Sequence, residues 1–122
     1  MKTGRAEKFM DANATVLIHG KDRQLAGLQP LVDNCRKRQW RRQRWTQRDA
    51  LVQRGGGMVV PYIGQPYDPA VFEMVPGGWK RSLCEICGWE LFASGDEKRS
   101  MGYTDGRQWI CSECYDHFFR RL

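Results

Sequence analysis

Thr15, Val16, Leu17, Ile18 and His19 form a short β-branched and apolar run, followed by Gly20, Lys21 and Asp22 and then the stretch 23–26. This pattern predicts a strand, a tight turn and a return strand, with His19 as a turn residue at the end of the first strand. From Leu28 the period changes, and Leu28, Leu31, Val32 and Cys35 recur at helical spacing. A helix over 28–38 is predicted, with Pro30 tolerable only in its first turn. Continuing the same face reaches Gln39, Arg42, Thr46 and Asp49, all polar. One amphipathic helix therefore cannot run on, and another element begins near Trp40.

Apolar residues return at 50–53 and 58–63 on either side of Arg54 and Gly55, Gly56 and Gly57. These glycines supply positive φ cheaply, so the pattern predicts a hairpin. Residues 61–83 read as an ordered Pro/Gly-rich connector, in which Pro61, Pro66, Pro69, Pro76, Gly77 and Gly78 bracket the apolar stretch 70–75. Tyr62, Tyr67, Phe72 and Trp79 give this connector aromatic surface to pack. Further on, 89–93 is strand-like, 94–99 polar and turn-like, and 102–110 a returning strand. Tyr115, Phe118, Phe119 and Leu122 then fall at helical spacing.

Cysteine placement changes the picture. Cys84-Glu85-Ile86-Cys87 and Cys111-Ser112-Glu113-Cys114 are two Cys-x-x-Cys pairs with 23 residues between them, and Cys35 stands apart. Two residues between thiolates let a tight turn present both sulfurs as one edge of a tetrahedron around zinc, with bonds near ~2.3 Å. A rubredoxin-like iron site usually has glycine after both pairs, whereas Gly88 follows the first and Tyr115 the second. A thioredoxin-like redox pair needs only one such motif. One structural zinc ion is the expected cofactor.

A cysteine turn, a hairpin and a helix whose first turn carries the last pair resembles the treble-clef zinc fingers over residues 84–122. The resemblance implies Cys84, Cys87, Cys111 and Cys114 as ligands and leaves function open, since that fold group serves nucleic-acid binding, protein binding and nucleases. Four cysteines close the coordination shell and leave no place for a hydrolytic water. The only histidines are His19 and His117, and His117 is expected to pack beside the metal shell rather than to act in catalysis. The expected architecture is α+β. A small, strand-rich, basic N-terminal domain (1–83) with one main helix is fused to a treble-clef-like zinc module (84–122) whose metal replaces an insufficient core.

Charge sharpens the division. The formal net charge is +6; residues 1–83 hold 15 Lys and Arg against 7 Asp and Glu, and residues 84–122 hold 5 against 7. Four thiolates around one zinc would add about −2 to the latter. Arg36, Lys37, Arg38, Arg41, Arg42, Arg44 and Arg48 place seven cations in thirteen residues with Trp40 and Trp45 interleaved and no acid among them. Guanidinium forks on phosphates and indoles stacked on bases would suit RNA or DNA over 36–54. The competing reading makes both tryptophans core and the arginines a solvated face, some of them paired with the acidic module. The leading expectation is a non-enzymatic zinc-binding protein contacting nucleic acid. The alternative is a protein–protein adaptor with a structural zinc, docking through Trp79, Trp89 or Trp109. No apolar run approaches the roughly 20 residues of a membrane span, and residues 1–11 lack a secretory leader's apolar stretch, so no membrane partner and a cytoplasmic location are expected.

Overall fold

The structure, a computed structural model, describes residues 14–120; the segment read for a leader and Leu122 of the predicted last helix lie outside it. Strand β1 (Thr15–Ile18) runs antiparallel to β2 (Lys21–Gln24) with Ile18 opposite Lys21. The two-residue turn is His19 (φ 50°) and Gly20 (φ 77°). Both lie in the left-handed region, the arrangement whose twist matches a hairpin, so the turn falls earlier than the predicted 20–22. Helix α1 (Leu25–Cys35) follows without a linker, its Leu25 N–H bonded to the Ala14 carbonyl at 2.9 Å. It starts and ends three residues ahead of the predicted 28–38. Pro30 consequently sits in the second turn, where it has no N–H to offer Ala26. Of the predicted face Leu28, Val32 and Cys35 are buried, whereas Leu31 is 41% exposed.

The element beginning near Trp40 is strand β3 (Arg41–Arg44). Strand β4 (Arg48–Gln53) pairs with β5 (Val59–Pro61), Leu51 opposite Val60, around the three-glycine turn. On its other side β4 pairs with β6 (Phe72–Trp79), a strand inside the stretch read as connector. Pro76 and the following glycines hid it, because the ladder slips between Arg48 and Ala50. The Gly77 N–H turns instead to the Asp49 carboxylate at 2.9 Å, and the Gln47 amide donates to the Gly77 carbonyl at 2.7 Å. A bulge of this kind is where a sheet accepts proline.

Strands β7 (Ser82–Leu83) and β8 (Glu90–Leu91) clasp the first cysteine pair, so 90–91 does not pair with 102–110 as predicted. The single turn α2 (Glu97–Ser100) is capped by the Asp96 carboxylate, which accepts from the Lys98 N–H. The hairpin between the cysteine pairs is β9 (Met101–Thr104) with β10 (Trp109–Cys111), folded within the predicted single strand 102–110. Asp105 forces that turn: its carboxylate accepts the N–H groups of Arg107 (2.9 Å) and Gln108 (2.8 Å), and Gly106 takes φ 104°. Helix α3 (Ser112–Phe118) closes the described chain. The result is α+β and strand-rich, with α1 the main helix and α3 beside the cysteines.

Strand β3 adds to the edge of the β9–β10 hairpin, Arg42 opposite Tyr103. The basic segment and the cysteine hairpin thus share one sheet, in which β9 and β10 are largely buried while Arg41, Arg42 and Arg44 of β3 are exposed. In one hydrophobic cluster Tyr103 and Ile110 join Ile18, Leu28, Val32 and Cys35 together with Cys84, Cys111 and Cys114. In a second cluster Trp109 packs with Trp45 and Leu91, flanked by Trp79 and Trp89. Both the strand pair and the first cluster cross the 83/84 division. No described helix is long and apolar enough to cross a membrane.

Candidate metal centre

Cys84 and Cys87 occupy the turn between β7 and β8. Gly88, at φ 81°, lets the chain reverse, so its N–H reaches the Cys84 carbonyl at 3.0 Å while the Cys84 N–H reaches the Trp89 carbonyl at 2.8 Å. The N–H groups of Ile86 and Cys87 point at Cys84 Sγ at 3.4 and 3.5 Å. Cys111 ends β10 and caps α3, its Sγ accepting from the Cys114 N–H at 3.4 Å. The four sulfurs lie within 4.8 Å of one another, and Cys87 Sγ and Cys111 Sγ are 3.7 Å apart. A tetrahedron with bonds near ~2.3 Å has edges of about 3.8 Å. The cluster has the dimensions of a four-sulfur metal site.

Its electrostatics point the same way. Hydrogen bonds from Cys111, Cys114 and Cys87 hold the Cys84 thiol well below the usual thiol range. Hydrogen bonding to Cys111, then to Cys84 and Cys87, pushes Cys114 far above it. One thiolate is favoured, but four would repel one another in a buried site unless a cation lay among them. A divalent metal ion removes that conflict and leaves the shell closed.

His19 completes the surroundings, although its sequence neighbours showed no partner. Its backbone N–H donates to Glu113 Oε2 at 2.7 Å, its Nδ1 lies 3.4 Å from Glu113 Oε1, and its Nε2 lies 3.2 Å from Cys111 Sγ. The ring stacks on Trp89 with centroids 3.6 Å apart. Burial lowers its pKa, and the Glu113 carboxylate opposes that shift. The left-handed turn aims this ring at the sulfurs. A residue between two strands and followed by glycine is a readable turn signal, but the contact with Cys111 spans 92 positions and exists only in three dimensions. His117, expected beside the metal, is exposed instead: α3 buries Cys114 and half-buries Tyr115 and Phe118, leaving Asp116 and His117 to solvent. Replacing His19 with Ala should keep one metal ion per chain but weaken its retention about 10- to 100-fold, the usual effect of losing a partner of a metal ligand. Competition against a chromophoric chelator measures this, and an unchanged constant would remove His19 from the site.

The basic segment divides. Trp45 is 2% exposed, and its indole N–H donates to Ser82 Oγ at 3.0 Å, so it is core and no stacking platform. Trp40 is half-buried; its N–H goes to the Cys35 carbonyl at 2.8 Å and the Arg38 guanidinium lies 4.9 Å above its ring. Arg38 is engaged by Asp105 at 3.0 Å and by Gln108. Arg36 rests over Phe119. Lys37, Arg41, Arg42 and Arg44 are exposed and Arg48 is half-buried. Among the described residues none of these last five, nor Arg36, has an acidic partner within 4.0 Å. The aromatic surface expected of an adaptor is also largely used. Trp109 is buried, and Trp89 lies between His19 and the Arg99 guanidinium, which is 3.6 Å from its ring centroid. No family model, curated protein or solved structure matches the chain.

Proposed function

We propose that this is a non-enzymatic zinc-binding protein in which Cys84, Cys87, Cys111 and Cys114 hold one structural zinc ion and the face carrying β3 contacts the phosphate backbone of RNA or DNA. The sulfur spacing supports the metal reading, and in a reducing cytoplasm four thiols favour zinc over disulfides. The order of cysteine turn, hairpin β9–β10 and helix α3 supports a treble-clef-like module. It is extended here by β3 on its sheet and by the β1–β2 hairpin on its metal.

One observation carries the nucleic-acid reading: Arg36, Lys37, Arg41, Arg42 and Arg44 are exposed cations without acidic partners among the described residues. Arg42 and Arg44 stand on the same face of an edge strand, about 7 Å apart. Because Trp45 is buried and Trp40 is covered, the contact is to phosphates rather than to bases. Binding is then insensitive to base sequence and strongly dependent on salt. Oligonucleotide titrations of the zinc-loaded protein across a salt series test this. The expected log–log slope is about −0.7 to −0.9 per contacted phosphate. Replacing Arg41, Arg42 and Arg44 together with Ala should make it shallower by about 2 to 3. Absence of binding at low salt would overturn the phosphate contact and leave the zinc assignment standing.

A further inference from the structure

Between the β4–β5–β6 sheet and the cysteine module lies a groove of about 810 Å³, within the roughly 300–1,000 Å³ range of ligand sites. Val60 of β5, Ile63 just beyond it, Trp79 at the end of β6 and Leu83 of β7 line it. Two of the chain's exposed large apolar side chains, Leu83 at 54% and Ile63 at 42%, converge on it. Its walls are held in place. Gln65 accepts the Ile63 N–H at 2.6 Å and donates to the Pro61 carbonyl at 3.0 Å, while Ser82 Oγ accepts the indoles of Trp45 (3.0 Å) and Trp79 (3.1 Å).

The charged lining is unevenly used. Arg38 is taken up by Asp105 and Gln108, but Arg48 and Arg107 have no acidic partner and Glu85 no basic one within 4.0 Å among the described residues. Two open guanidinium groups at an apolar trough complement a carboxylate next to an apolar side chain. Aliphatic walls disfavour a phosphate chain. Pro61, without an N–H, makes β5 a poor edge for strand addition, so recognition falls to side chains.

We propose that this groove is a docking site for an extended peptide segment of a partner protein in which apolar and acidic residues alternate. The apolar side chains seat between Ile63 and Leu83, and the carboxylates pair with Arg48 and Arg107. The site is separate from strand β3, to which the phosphate contact is assigned above. The probe is a capped hexapeptide alternating leucine and glutamate, titrated into the ¹⁵N-labelled, zinc-loaded 122-residue chain and followed by NMR. Controls replace its glutamates with lysine or its leucines with serine. Shifts are expected at the amides of Ile63, Leu83 and Gln108 and at the Trp79 indole. The leucine–glutamate peptide should bind about tenfold tighter than either control, the scale of one charge-assisted contact. Arg107→Glu and Leu83→Ser, both at the surface, should each weaken it by about tenfold with the melting temperature unchanged. Equal binding of the three peptides, or no shifts up to about 1 mM peptide, would overturn the proposal. So would an oligonucleotide that moves the groove resonances when the peptide does not.

Discussion

Cys111→Ser is expected to abolish metal binding and to unfold the chain well beyond the cysteine module. Cys111 is fully buried, caps α3, and receives both the Cys114 N–H and the His19 ring. The cluster containing it also contains Ile18 of the first hairpin and Leu28, Val32 and Cys35 of α1, so these elements share one core with the cysteines. Structural zinc contributes on the order of 10–16 kcal/mol in small modules, as much as or more than the roughly 5–15 kcal/mol of a whole domain's stability. Hydrogen exchange should therefore show lost protection in β1, β2 and α1 as well as in β9, β10 and α3, and the cooperative melt should disappear. Cys35→Ser provides the contrast. It buries a hydroxyl in the same cluster and should cost about 1–3 kcal/mol, with one metal ion per chain retained. A Cys111→Ser protein that keeps its metal content and melting temperature would refute the assignment. A protein that loses metal yet keeps α1 protected would show that the hairpin and helix stand without it.

The clustering of Cys84, Cys87, Cys111 and Cys114 was readable because paired Cys-x-x-Cys spacing survives in one dimension. The buried face of α1 was readable because Leu28, Val32 and Cys35 follow a single period. Other features depended on a tertiary contact or on a signal weighed too lightly. Asp105-Gly106 is a strong hairpin dipeptide, and it divides what looked like one strand into β9 and β10. Strand β6 carries its proline at a bulge secured by Asp49 and Gln47, neither of them near it in sequence. His19 finds its partners in Glu113 and Cys111. The pairing of β3 with β9 joins a segment whose composition said only "basic" to a hairpin whose composition said "metal". Composition describes what a surface carries; register decides which sheet it lies on.

That distinction is sharpest at Trp45, which separates the two readings of the arginine-rich segment. If the indole were a platform for bases, Trp45→Ala would weaken nucleic-acid binding and leave stability alone. Its surroundings demand the reverse. The side chain fills the centre of the second cluster against Leu91 and Trp109, and its N–H shares Ser82 with the Trp79 indole. Truncating a buried tryptophan costs about 3–5 kcal/mol, a large part of a small domain's stability. Trp45→Ala should accordingly lower the melting temperature sharply while the four cysteines, three of which belong to the other hydrophobic cluster and the fourth of which packs against it, still take up one metal ion. Trp45→Phe keeps the ring and loses the N–H, so it should recover most of that loss and fall short by about 1 kcal/mol. Phosphate binding by the refolded Phe variant should match the parent. Reduced binding at full stability would restore Trp45 to the nucleic-acid surface and displace it from the core.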